Sequence, residues 1–357
     1  MKINSKWYLV IFTITALFSS DQRINALGGN PAFWPDDDTN IRLFPNRIND
    51  WNFVQLSGVG QTYILNSRVG DFPIEEYNVD FNNQGTEGSI VFGDEKKYGF
   101  WLSNEAFDAI SAGYGSGNIG WLVSLKSLKI SADFGFEDRS ETDYFGIDIG
   151  YGIETATGEV SVFTKADIYT ASGSLYAPGI HGNSSLYNIS YNIKRSINIK
   201  YLSNIYCHLG YSWSSGNGSL VYDDSYNFGI STFGHFYQIK NTDAMFSIGL
   251  EYNNQKYQGD TWQTILFPSI TLAVENKITD WATIRSGINK YYKLYTGTKD
   301  LSSRYSLPAI ASFGLGFNYG GLILDIDVTS QFFSSPFEYI LGNEGPLATS
   351  ATLSYVW

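Results

Sequence analysis

Three things are scarce in this chain, and each scarcity closes a class of function. Cys207 is the one cysteine among 357 residues, so neither an internal disulfide framework nor a multi-cysteine metal site can form. Charged residues make up 16%, against about one quarter in a typical soluble protein. Within that small set, 35 carboxylates outnumber 23 lysines and arginines. An acidic chain lacks the clustered cations that phosphate neutralisation requires, so nucleic acid is excluded as a partner. The third absence is a long apolar run. After residue 26 no stretch approaches the roughly 20 apolar residues that a membrane helix needs.

Aromatic residues are abundant instead, at 17%, alongside 36 glycines. A soluble protein would have to hide most of those rings. A barrel set in lipid displays them, in an outer band and in two interfacial girdles. Mean hydropathy is slightly negative, as expected where half of a barrel wall faces water.

The start of the chain has the form of an export signal. Lys2 and Lys6 flank an uncharged stretch, Trp7 to Phe18, that is too short to span a bilayer comfortably. Small residues suitable for cleavage follow at Ser19-Ser20 and at Ala26, and the cut is expected after Ala26, giving residues 1–26 as signal peptide. Residues 27–50 carry Pro31, Pro35 and Pro45 and the acidic run Asp36-Asp37-Asp38. A strand is unfavourable there, and an irregular segment entering the lumen as a partial plug is expected. Residues 51–357 then form the transmembrane domain.

That domain alternates with period two. Ala244, Phe246, Ile248, Leu250 and Tyr252 oppose Ser247, Gly249 and Glu251. Leu322, Leu324, Ile326 and Val328 oppose Asp325, Asp327 and Thr329. The pattern recurs in 128–136, 144–153, 204–213 and 309–319, and more weakly in 52–59, 88–93, 98–104, 119–126, 159–169, 186–202, 226–237, 263–276 and 281–292. One face takes apolar residues and the other takes small and polar ones, as a wall between lipid and water requires. The fold class is therefore all-β: a transmembrane antiparallel up-and-down β-barrel. About fourteen strands are expected, with 12 or 16 as alternatives, and the number should be even because both ends of such a chain lie on the periplasmic side. Asp94–Lys97 and Tyr319–Gly321 read as tight periplasmic turns. The stretches 170–184, 214–225, 293–308 and 333–348 read as extracellular loops.

Residues 349–357 alternate Ala351, Leu353, Tyr355 and Trp357 with Ser350, Thr352 and Ser354, and the last residue is aromatic. This ending resembles the C-terminal insertion signal of Gram-negative outer-membrane barrels, with Leu353, Tyr355 and Trp357 in its key places. The resemblance implies a location in the bacterial outer membrane, contact with its lipid, and assembly by the barrel-assembly machinery through the last strand. Asn30-Pro31-Ala32 is similar to the NPA tripeptide near the mature N-terminus of the long-chain fatty-acid (FadL-like) transporters, which are fourteen-stranded barrels with an N-terminal hatch. Here Phe33-Trp34-Pro35 follows in place of the usual small residue.

Sites of chemistry are few. Gly115-Ser116-Gly117-Asn118-Ile119-Gly120, with Asp133 further on, fits a dinucleotide-binding glycine pattern. A strand follows it rather than the helix that pyrophosphate needs, so a turn at a barrel rim is expected. His181, His208 and His235 are the three histidines. His208 with Asp223 or Asp224 offers a hydrolase pair, but single residues do not make a triad, and no enzyme is expected. Asp36-Asp37-Asp38 with Asn40 lacks the glycine and distal glutamate of a calcium loop, and a solvated acidic turn is expected, with no cofactor. The polar face supplies candidate lumen-lining residues: Lys126, Lys129, Asp133, Asp148, Lys165, Asp167, Glu251, Glu275, Arg285, Asp325 and Asp327. Opposed charges there suit a channel or porin for a small-molecule solute. A transporter of hydrophobic compounds and a plugged structural or secretion-associated barrel are the alternatives.

Overall fold

The structure is a computed structural model that describes residues 21–59, 86–103, 108–133, 139–172, 182–197, 199–216, 224–236, 241–257, 260–297, 305–306, 309–328 and 348–357. The chain opens with a short helix, α1 (Asp21–Ala26), and three 3-10 turns, η1 (Pro31–Phe33), η2 (Asp38–Arg42) and η3 (Pro45–Asp50). Strands follow as β1 (Phe53–Val59), β2 (Glu87–Gly93), β3 (Lys96–Ser103), β4 (Asp108–Ser116), β5 (Ile119–Asp133) and β6 (Arg139–Thr155). Next come β7 (Gly158–Ser172), β8 (Gly182–Ser196), β9 (Asn204–Gly216), β10 (Asp224–Phe236), β11 (Thr242–Tyr257) and β12 (Asp260–Lys277). The last are β13 (Ala282–Gly297), β14 (Tyr305–Ser306), β15 (Ile310–Tyr319), β16 (Leu322–Val328) and β17 (Ala348–Val356).

Each strand pairs antiparallel with its neighbours in sequence, and β17 pairs with β1, closing the sheet. The two-residue β14 and then β15 pair with successive stretches of β13, so they occupy one place in the wall. The barrel thus has sixteen strands rather than the expected fourteen, and the even number stands. Strand by strand, two readings differ from the expected ones and offset each other in the count. β4 (DAISAGYGS) is so rich in small residues that its alternation is faint. The stretches 119–126 and 128–136 fall in one strand, β5, whose register with β6 runs without a slip from Ile119 to Asp133.

Phe53 and Val356 meet at one end of the barrel, the near end. The turns after β2, β4, β6, β8, β10, β12 and β15 lie there too, and include both tight turns anticipated from the sequence. The loop stretches 170–184, 214–225, 293–308 and 333–348 lie at the far end, and most of each lies outside the described residues. Several strands run 15 to 18 residues, well beyond the about 9–11 that cross a bilayer, so the wall continues past the apolar band.

Outward residues of that band are exposed large apolar side chains such as Phe100, Leu102, Leu125, Phe145, Leu209 and Leu272. Aromatic contacts bracket it. Near the near end, Tyr98 meets Tyr114 (5.6 Å), Trp121 meets Tyr151 (4.5 Å), and Trp281 stacks on Phe317 (6.1 Å). Toward the far end, Tyr211 joins Trp213 (5.4 Å) and Tyr226 (4.9 Å). An apolar belt between two aromatic rings is the exterior of a wall set in a bilayer.

The segment from α1 to η3 lies inside the barrel at the near end. Helix α1 packs against β13, β15, β16 and β17, while η3 packs against β3, β4, β5 and β6. Its 3-10 turns are capped locally: Asn30 Oδ1 accepts from the Ala32 amide (3.0 Å), and Asp37 Oδ1 from the Thr39 amide (3.0 Å). Proline at the start of η1 and η3 removes an N–H that would have no partner there.

Candidate functional site: the inner segment and its seat

The inner segment is held by charge on two sides of the barrel. On the first side the centre is Arg23 of α1, 2% exposed. Its Nε donates to Glu275 Oε2 of β12 (2.8 Å) and its Nη1 to Asp37 Oδ2 (2.9 Å). Glu275 is also approached by Arg285 Nε of β13 (3.6 Å), and Arg285 Nη1 donates to Asp325 Oδ1 of β16 (2.5 Å). Gln22 reaches Ser350 (3.2 Å) and Thr352 on β17. Burial pushes the Asp37 carboxyl up to about 7 despite the opposing pull of Arg23. Burial, followed by the charges of Asp37, Asp21 and Asp325, pushes Asp38 well above the ordinary carboxylate range. One oxygen of Asp38 is buried without a hydrogen-bond partner, which fits a carboxyl that holds its proton. Asp37 and Asp38 are therefore a buried anchor rather than part of the solvated turn expected, and Asp36 is exposed. Among the described residues, no group of metal-ligating side chains is arranged to hold an ion.

On the second side the centre is Glu159 of β7, 2% exposed. It accepts from Arg47 Nε (2.6 Å) and Nη2 (2.5 Å) of η3, and pairs with Lys194 Nζ of β8 (2.7 Å). Beside it, Ser161 Oγ donates to the Leu43 carbonyl (2.5 Å), and Tyr206 Oη donates to Asn192 (2.9 Å). His235 of β10 makes a third contact, with Nδ1 at 3.0 Å from Asp243 and Nε2 at 2.6 Å from the Phe33 carbonyl. The ring thus bridges a wall carboxylate and a backbone carbonyl of the inner segment.

Between these anchors lies an aromatic cluster. Phe33, Trp34 and Phe44 pack with Tyr206 and Phe233 of the wall, and the Phe33 and Phe233 rings are 5.0 Å apart. Arg23 lies over Trp34 (5.4 Å) and Lys194 over Phe44 (5.2 Å), so charge and aromatic surface support each other. The tripeptide Asn30-Pro31-Ala32 thus turns Phe33 and Trp34 into this cluster.

Glycines in the wall make room. A Cβ added at Gly314 would stand 2.5 Å from Ala26 Cβ, one at Gly152 2.6 Å from Asn46 Oδ1, and one at Gly287 2.6 Å from the Gly28 nitrogen. At Gly120 it would fall on the Pro45 carbonyl, and at Gly115 on Ile48 and Asn49. The Gly115–Gly120 motif is thus part seat and part turn, with Gly117 at φ +62° joining β4 to β5 and no helix after it.

Beyond the segment, toward the far end, the inner face carries a second set of polar groups. Asp148 binds Lys126 and lies 3.7 Å from Lys165. Tyr144 donates to Asp167 (2.7 Å) and Ser269 to Glu251 (3.2 Å). His208 lies beside the Tyr206 ring (6.0 Å) and over Gly229. Asp224 is bonded to Tyr211 (3.1 Å) rather than to His208, while Asp223 and His181 lie outside the described residues. The eleven candidates therefore divide. Glu275, Arg285 and Asp325 join the Arg23 anchor, and Lys126, Asp148, Lys165, Asp167 and Glu251 form the upper set. Asp327 pairs in register with Gly314 and Ser350, one inward step beyond Asp325. Lys129 and Asp133 pair in register with Asp143 and Arg139, at positions alternate to Lys126. Arg23, Arg47, Glu159, Lys194, His235 and Asp243 were not among the candidates. Glu159 and Lys194 fall in the weakly alternating stretches 159–169 and 186–202, near the ends of their strands, where nothing sets them apart from other polar positions. Nothing local marks Arg23, which falls in the stretch assigned to the signal peptide.

In β17, Thr352 and Ser350 face inward, while Leu353, Tyr355 and Trp357 stand exposed on the outer face with the last two rings stacked at 6.1 Å. A cavity of about 480 Å³ lies at the far margin of β2–β6, lined by Leu102, Ile110, Leu125 and Phe145 together with Ser103 and Lys126.

No family model and no curated protein matches the chain. Solved structures do. CdiB from Escherichia coli is 10% identical with a TM-score of 0.47, over 86% of this chain and 62% of that one. CdiB from Acinetobacter baumannii is 9% identical with a TM-score of 0.42, over 86% and 59%. A Pseudomonas aeruginosa FadL homologue is 12% identical with a TM-score of 0.39, over 94% and 96%. The chain spans about three fifths of the two CdiB chains. Likeness at this level concerns the fold. The closed, even-stranded antiparallel wall, its apolar belt and its two aromatic girdles identify the chain as a β-barrel of the bacterial outer membrane.

Proposed function

We propose that this barrel is a gated conduit for small solutes, closed at its near end by residues 21–50 acting as a plug. The observation that carries the reading is the two-sided anchoring: Arg23 to Glu275 on one side and Arg47 to Glu159 on the other, all inside the wall. The upper polar set around Asp148 then faces the solute before the plug does, and its excess of carboxylates favours cations and neutral solutes. The near end lies on the periplasmic side in this reading, and β17 presents Leu353, Tyr355 and Trp357 to the barrel-assembly machinery.

Planar-bilayer conductance tests the proposal. The intact barrel is expected to be mostly silent, and deletion of residues 21–50 is expected to give steady conductance. A steady open pore in the intact barrel, or silence in a folded deletion variant, would overturn it. Transport of hydrophobic compounds is a second reading, favoured by the wall cavity that places outward Leu125 and Phe145 next to inward Lys126. Uptake of a fluorescent fatty acid lost on Leu125→Asp, with ion conductance of the deletion variant retained, would favour that second reading.

A further inference from the structure

We infer that the mature chain begins at Asp21, because the export protease cuts the Ser20–Asp21 bond and leaves the six residues Asp21–Ala26 in place. The inference rests on reading residues 1–20 as an export signal, and it replaces the Ala26–Leu27 bond that the residue pattern favours. In the hydrolysis, water adds its hydroxyl to the Ser20 carbonyl carbon and a proton to the Asp21 nitrogen. The leader leaves with a C-terminal carboxylate and the barrel keeps an α-ammonium.

Three independent contacts require residues 21–26. First, a cut after Ala26 removes Arg23, the shared partner of Glu275 and Asp37, which are 2% and 0% exposed. Two buried carboxylates would lose the cation that joins them, the change that costs a buried ion pair most. Second, Gln22 supplies polar partners to Ser350 and Thr352 of the closing strand, which are 4% and 1% exposed. Third, the wall is shaped to this stretch. Ser312 Oγ donates to the Ala26 carbonyl (3.0 Å), and Gly314 has no Cβ where Ala26 Cβ would stand 2.5 Å away. Ala26 and Leu27 are 0% and 1% exposed, so the bond between them lies in the packed interior rather than at a free chain end. Ser20 supplies the small residue that a signal-cleaving protease accepts next to the bond. The cut also puts a positive charge on Asp21, whose carboxylate adds to the negative charge around Asp37 and Asp38.

The test is N-terminal sequencing and intact mass of the barrel purified from outer membranes. The expected first residues are Asp-Gln-Arg-Ile. A start at Leu27, or at any residue ahead of Asp21, overturns the assignment, and an uncleaved start at Met1 overturns the export-signal reading along with it. A second measurement compares chains refolded from Asp21 and from Leu27. The Leu27 chain is expected to lose protease protection of residues 30–50 at least tenfold, and equal protection would show that residues 21–26 are dispensable.

Discussion

Replacing Glu159 with glutamine isolates the contribution of buried charge to holding the inner segment in its seat. The side chain keeps its shape and loses its charge, so Arg47 and Lys194 face each other without the carboxylate between them. Lys194 is 8% exposed and Arg47 20%, so water compensates little. Removing one partner of a buried pair costs about 3–5 kcal/mol. Arg47 keeps Asp50 at 3.0 Å, an exposed carboxylate, which puts the expected cost at the lower limit, about 3 kcal/mol. At about 1.4 kcal/mol per factor of ten, the undocked population rises about a hundredfold. The assay is the opening frequency of single barrels in a planar bilayer, paired with amide exchange over Arg47–Trp51. Lys126→Gln is the control, since Lys126 binds Asp148 and touches nothing in the segment. It is expected to leave opening frequency unchanged and to shift ion selectivity. Unchanged opening and exchange in Glu159→Gln, with the barrel folded, would refute the claim that this pair secures the plug.

Other outcomes follow from the same contacts. Gly120→Ala places a methyl on the Pro45 carbonyl and is expected to weaken docking by about 1–3 kcal/mol through overpacking, read as faster proteolysis of residues 30–50; Gly29→Ala, where a Cβ meets nothing within 4 Å but φ is +79°, is expected to act through local strain instead. Asp37 is raised from 3.8 to about 7 and Asp38 is raised with it. The docked state therefore binds more protons than the undocked one between about pH 4 and 7, and docking weakens as pH rises through that window. Asp38→Asn is expected to flatten this trend in amide exchange, and an extension ahead of Asp21 to steepen it. Trp357→Ala is expected to lower the yield of folded barrel several-fold in outer-membrane fractions, measured by heat-modifiable mobility in gels.

The wall was largely legible in the sequence because each of its residues answers to one of two solvents. Lipid demands Leu209, Phe246 or Leu353, and the inside accepts Gly210, Ser247 or Thr352, so alternation alone traces most strands. β4 escaped because its inward Gly113 and Gly115 are small for the sake of Trp101 and Ile48, which fill the space above them. The candidate site was legible only in part. Glu275, Arg285 and Asp325 stand out as charges on an alternating polar face, but their role does not. Read alone they suggest an open charged lumen, whereas Arg285 and Asp325 are bonded to each other at 1–5% side-chain exposure. Neutralising Asp325 therefore perturbs an anchor rather than a pore wall. Arg23, which makes the difference, lies 252 residues from Glu275, and no local pattern links positions so far apart.

One signal of the inner segment was nevertheless present in the wall itself. Inward positions close to the near-end turns are unusually small: Gly99, Gly115, Gly120, Gly152, Gly287 and Gly314. Farther up the same strands the inward positions include Lys126, Asp148 and Asn289. A barrel closed on itself with glycine at its narrowest packed level would leave a void, and voids among packed side chains forfeit contacts on every side. Such a run of glycines is stable only if other chain fills the space. Here that chain is Pro45–Asn49 against Gly115, Gly120 and Gly152, and Ala26–Gly28 against Gly287 and Gly314. The two parts of the molecule thus specify each other. The segment supplies bulk and cations, and the wall supplies space and carboxylates, at the same end of the same strands.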